Sequence, residues 1–219
     1  MNPIELTGRL IRTGAATFAV MLASGNCCAR QAAVTPADAH AHHHMQAVVS
    51  EPVVRSSAAY RLDGLHLMRA DGERVLLTDE LKHDGPLVLD FVFTTCTAIC
   101  PTLSRTFAEL QAKSVRTRAL RLVSISIDPQ HDTPAVLLSY AKQFAVGGGW
   151  RFYTGTVAES IAVQRAFDVY RGNKMNHVPL TFVRRAPDQP WVRLEGYASV
   201  DALLRELEPR ASVTLAGAK

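Results

Sequence analysis

From residue 60 onward the chain alternates short apolar runs with amphipathic stretches, a pattern that predicts a mixed α/β domain. YRLDGLHLMRADGERVLLTD (60–79) reads as two short strands around an Ala-Asp-Gly turn at 70–72. PLVLDFVFT (86–94) is almost continuously apolar, β-branched or aromatic, as a buried central strand requires. Asp90 interrupts that run, and a carboxylate there is costly without a partner. PTLSRTFAELQAKSV then sets Leu103, Phe107, Leu110 and Val115 at near-helical spacing, with Pro101 suited to the first helical position. ALRLVSISID (119–128) reads as a second apolar strand. A strand–helix–strand crossover of this kind implies a parallel pair.

The same reasoning carries through the C-terminal half. TPAVLLSYAKQFA (133–145) is a helix with a Thr cap and Pro at its first position, and Gly147, Gly148 and Gly149 then break the chain. TVAESIAVQRAFDV (156–169) is amphipathic. PLTFVRR (179–185) and PWVRLEGY (190–197) are strands about a Pro-Asp turn, and SVDALLRELEPR (199–210) is a capped final helix. The order predicts a three-layer α/β sandwich over 59–210, with parallel and antiparallel strands in one mixed sheet and a short tail at 211–219.

Ahead of this domain the pattern fails. Residues 30–58 are rich in Ala, Thr, Pro and Ser and read as a flexible linker. Within it lie His40, His42, His43, His44 and Met45, either incidental or a loose metal-catching tract, since imidazole and thioether suit copper and related ions. Residues 1–29 read as an export signal: Arg9 and Arg12 precede a short apolar run, and small residues follow. Cleavage, retention as an N-terminal anchor, or lipidation at Cys27 or Cys28 are all open, and each puts the domain outside the cytoplasm on the periplasmic side of an inner membrane.

Composition changes this picture little. The chain has 219 residues, 47% hydrophobic and 20% charged, enough for a packed core. The net charge of +4 comes from scattered basic residues such as Arg116, Arg118 and Arg121, which argues against nucleic-acid binding.

Cysteine usage changes it more. The domain owns Cys96 and Cys100, spaced C-x-x-x-C between a strand end and a helix start. Unpaired helix N–H groups there favour a thiolate. The pair can close a disulfide, exchange electrons with a partner, or offer two thiolates to a soft metal ion. A purely structural disulfide is the weaker reading, because closing so short a loop gains little entropy.

FVFTTCTAICP (91–101), SISIDPQHDTP (124–134), GGGWRFYTG (147–155) and the pair Asn176-His177, in this order, resemble the Sco/SenC family. The resemblance implies a thioredoxin-like fold with an added N-terminal β-hairpin. It implies copper, as Cu(I) or Cu(II), held by Cys96, Cys100 and His177. It implies a role in assembling the binuclear copper site of cytochrome c oxidase, by delivering copper or by reducing the acceptor's cysteines. The oxidase's copper-accepting subunit is then the expected partner, with other periplasmic copper carriers upstream. Asp128 and Asp132 match the family's acidic segment and read as turn or capping groups, or as electrostatic support beside the metal. The family commonly shows Asp where this chain has Asn176. The rival reading is a metal-independent thiol-disulfide oxidoreductase, and a peroxidase of the peroxiredoxin kind is a third.

Overall fold

Alternation along one strand sets the layers. In β4 (Leu87–Val92) every residue is buried. Leu87, Leu89 and Phe91 enter one core and Val88 the other, so β4 lies in the middle of the sheet with apolar packing on both faces. The computed structural model describes residues 52–114 and 119–208. The export segment, the His/Met tract and the C-terminal tail lie outside the described residues.

The remaining strands are β1 (Val54–Ala58), β2 (His66–Arg69), β3 (Arg74–Leu76), β5 (Arg121–Ser126), β6 (Trp150–Thr154), β7 (Leu180–Arg184) and β8 (Trp191–Glu195). They form one eight-stranded sheet in the order β1-β8-β7-β4-β5-β6-β2-β3. β4, β5 and β6 run parallel, and every other pairing is antiparallel. Helices α2 (Ile99–Lys113), α3 (Pro134–Lys142) and α5 (Val200–Leu207) contribute Phe107, Leu110, Leu137 and Leu203 to the core on Val88's side. On the opposite face, α1 (Leu77–Leu81) and α4 (Val157–Ala166) supply Leu77, Leu81 and Val163. There Phe167 meets Phe91 and Phe182 edge-on at centroid distances of 5.5 and 5.3 Å. Each such ring contact adds about 0.5–1.5 kcal/mol beyond its burial. Among the described residues no helix is long and apolar enough to cross a membrane.

The α/β sandwich, its mixed sheet and its thioredoxin-like character stand. Three helix starts follow their side chains: the hydroxyls of Thr133, Thr156 and Ser199 each accept a backbone N–H of the following turn, and Glu159 completes a capping box with Thr156. In the turn between β2 and β3, Gly72 takes φ +92, which side chains rarely adopt.

Four features depart from the sequence reading. β1 lies inside the stretch read as linker; its side chains are largely exposed and it is held by backbone pairing to β8, so it leaves no apolar pattern to read. β6 follows the glycines that had marked a break. The single turn α1 was hidden in a strand-like run. Its Glu80 accepts hydrogen bonds from Arg151 (2.8 Å), Tyr153 (2.5 Å) and Arg69 (3.3 Å), which fasten the turn to β6 and β2. Finally, α2 starts at Ile99 rather than Pro101, so Cys100 belongs to its first turn.

Candidate functional site

The loop 93–98 leaves the C-terminal end of β4 and enters α2. No side chain caps that helix. A sulfur takes the place of a cap: the Cys100 N–H donates to Cys96 Sγ at 3.3 Å. Cys100 is fully buried, and its own Sγ accepts the Phe93 N–H at 3.4 Å. Both thiols are free, with no disulfide between them.

Their environments push the two pKa values apart. At Cys96 burial opposes ionisation, but the backbone N–H groups of Cys100, Ala98 and Ile99 outweigh it and hold the pKa below that of an ordinary thiol. At Cys100 burial dominates and the pKa rises strongly. The Cys96 thiol therefore ionises more readily than the Cys100 thiol.

Asp90 lies on the α2 face of β4, opposite Ser124 in the parallel register. It is fully buried, and neither carboxylate oxygen has a partner at hydrogen-bond geometry. Burial pushes its pKa up to about 7, with the nearby Ser124 hydroxyl pulling the other way. Its negative charge is one of the influences that raise Cys100.

Two carboxylates bind the surrounding loops together. Asp132, fully buried, accepts the Thr94 N–H (3.2 Å), the Thr94 hydroxyl (2.5 Å) and the Ser126 hydroxyl (2.6 Å). The cysteine loop is thereby tied to the end of β5. Asp128 pairs with the ammonium of Lys174, which lies 5.5 Å from the centre of the Phe93 ring. Neither aspartate caps α3, because Thr133 does.

Lys174 opens a 3-10 turn, Lys174–Asn176, that delivers His177. His177 is only 6% exposed, and its Nε2 has no hydrogen-bond partner. Burial lowers its pKa to about 4 against a backbone hydrogen bond with Phe91, so the ring is neutral at pH 7. It stands edge-on to Phe93, with centroids 6.5 Å apart.

The family model described as SCO1/SenC matches residues 64–196, well over half of the chain and all of this site. The chain belongs to the SCO1/SenC family. A SCO1 protein homolog of Bacillus subtilis (strain 168) is 31% identical over 104 residues, 47% of this chain and 53% of the relative, so the match spans about half that relative's length. The structure of Arabidopsis thaliana ScoI with copper bound has a TM-score of 0.55 at 26% identity, covering 65% of this chain and 92% of that one. BsSco, described with a disulfide switch as a member of the Sco family of cytochrome c oxidase assembly proteins, shares the fold, with a TM-score of 0.58 at 23% identity over 70% and 95% of the two chains.

In this Sco-family chain the three expected ligands do not form one tight cluster. Among the described residues, the trio of His, Cys or carboxylate ligand atoms lying within 4.8 Å of one another is Asp128, His131 and Asp132. Cys96, Cys100 and His177 form no such trio. Sequence reasoning missed three neighbours. Lys174 anchors the His177 turn, and Arg105 and Tyr140 flank Cys96 in a cleft of about 330 Å³. The second cleft, about 350 Å³, opens beside His177 between Asp128, Gln164 and Arg171. One cleft is lined from α2 and the end of α3 and the other from α4, and no sequence signal reports that division.

Proposed function

We propose that this protein takes up one copper ion through Cys96, Cys100 and His177 and passes it to the binuclear copper site of cytochrome c oxidase. The observation that carries this reading is the unpartnered Nε2 of the buried His177, whose ring stands against Phe93 of the cysteine loop, together with the free thiols of Cys96 and Cys100. An orphaned imidazole in a dry site costs about 1–3 kcal/mol, which a bound cation would offset. Two thiolates and an imidazole suit Cu(I) and also accommodate Cu(II). Loading displaces the thiol protons, so the buried Cys100 ionises only as the metal arrives. The copper-bound Arabidopsis relative supports the same cargo.

Delivery occurs outside the cytoplasm, with residues 1–29 as export signal or anchor, 30–58 as linker and the tract from His40 to Met45 gathering copper upstream. The acceptor is the oxidase's copper-binding subunit, and other periplasmic carriers supply the ion. The test is competitive copper titration of the reduced protein. One ion per chain is expected, with binding lost in Cys96→Ser and Cys100→Ser and weakened in His177→Ala. Unchanged affinity in the histidine variant removes His177 from the ligand set.

The divergent pKa values of the two cysteines favour a second activity at the same site, reduction of a partner's disulfide by metal-free protein. Turnover of a disulfide substrate by the copper-free protein tests it.

A further inference from the structure

Cys96 lines a cleft that His177 does not. Its walls are Pro101 and Arg105 from α2 and Tyr140, Gln143 and Phe144 at the end of α3, enclosing about 330 Å³. The cleft beside His177 lies against α4 and shares none of these residues. Cys96 is thus reached from the α2 and α3 side, away from the cleft that His177 lines. Apolar ring and proline surfaces form one wall. Arg105 is exposed and has no ion-pair partner among the described residues. Gln143 adds an amide at the mouth.

We propose that this cleft seats a low-molecular-weight disulfide bearing a carboxylate, of the cystine or glutathione disulfide kind, and that Cys96 exchanges with it. The inference rests on the thiol-exchange reading above and names its small-molecule substrate. The volume is at the small end for ligand sites, the size of a short peptide rather than a protein surface. The unpaired guanidinium matches a carboxylate in charge and in its forked geometry. The apolar wall takes the methylene groups next to the sulfurs.

The chemistry balances without another reactant. The Cys96 thiolate attacks one sulfur of the small disulfide, forming a mixed disulfide and releasing one small thiolate. Cys100 gives up its proton and attacks Cys96 Sγ. The internal disulfide forms and the second small thiolate leaves. Two electrons pass to the small molecule, and the two protein thiol protons end on the two released thiols. Excess small thiol drives the same steps backward and restores the dithiol that copper needs.

The experiment follows stopped-flow oxidation of reduced, copper-free protein by three probes: glutathione disulfide, neutral hydroxyethyl disulfide and cationic cystamine. Glutathione disulfide is expected to react fastest relative to each probe's rate with free cysteine. Arg105→Gln lowers its rate about fivefold, the scale of an exposed ion pair, and added salt shrinks the difference. Hydroxyethyl disulfide is unaffected by that change. Gln143→Trp, which narrows the mouth without altering charge, slows glutathione disulfide and spares hydroxyethyl disulfide. Copper titration of both variants stays as in the parent. Equal rates for glutathione disulfide in parent and Arg105→Gln overturn the cleft assignment while leaving thiol exchange standing. Failure of all three probes to oxidise the pair overturns the exchange reading itself.

Discussion

Replacing Asp90 by Asn should make the folded protein more stable at neutral pH and above, by an amount that grows as pH rises toward 7. Asp90 is fully buried and its oxygens are unpartnered, so its ionised form is opposed by desolvation. Its pKa rises from an ordinary 3.8 to about 7 in the fold. Between those values the folded state binds the proton more tightly than the unfolded chain does. Stability contributed by protonated Asp90 is therefore complete below pH 3.8 and is lost as pH rises toward 7. Each pH unit of that window is worth about 1.4 kcal/mol, so the charged residue costs on the order of 4 kcal/mol above it. Asn keeps the shape and cannot ionise. Near pH 4 the variant should match the parent, or fall about 1 kcal/mol short where its amide hydrogens lack acceptors. At about pH 8 it should exceed the parent by up to about 4 kcal/mol. Urea unfolding at both pH values, with m compared, reads this directly. A difference between parent and variant that stays constant across the range would refute the buried, high-pKa assignment.

Other consequences can be read in the same way. Asp132→Ala removes the acceptor of three hydrogen bonds in a fully buried position and should cost about 3 kcal/mol in urea unfolding, since bonds to a carboxylate are worth about 1.5–3 kcal/mol each and do not add fully. With the cysteine loop untied, Cys96 in that variant should also show a higher thiol pKa by alkylation rate. Ala145 holds φ 50 just past α3, so Ala145→Gly should raise stability by about 0.5–1 kcal/mol, measured as an increase in Tm. In the parent at pH 7, iodoacetamide should label Cys96 well before Cys100, and mass spectrometry of the digest will show the order. Equal labelling would contradict the exposure and pKa difference between the two sulfurs.

Much of the fold was legible because local chemistry and global packing agree. The continuous apolar run around Leu87–Val92 could only be a strand buried on both faces. Thr133, Thr156 and Ser199 announce three helix starts through hydroxyls that cap them. Where the pattern failed, the element depends on long-range pairing. β1 exposes most of its side chains and exists by backbone bonding to β8, some 140 residues away. α1 is a single turn fastened by Glu80 to arginines and a tyrosine on other strands. An isolated turn of that length has no stability of its own.

At the site the same division holds. The sequence by itself determined the donor types, the C-x-x-x-C spacing and the placement of the pair where a strand meets a helix, because these follow from adjacent residues. It could not report that His177 is buried and neutral, since a polar loop such as RGNKMNH reads as solvated until Phe93 is found against the ring. Nor could it report the Asp132 tie between Thr94 and Ser126, or the split of the two pKa values. Those depend on which groups are removed from water together. Desolvation and three-body hydrogen bonding arise only when distant segments pack, and that is what the tertiary structure decided.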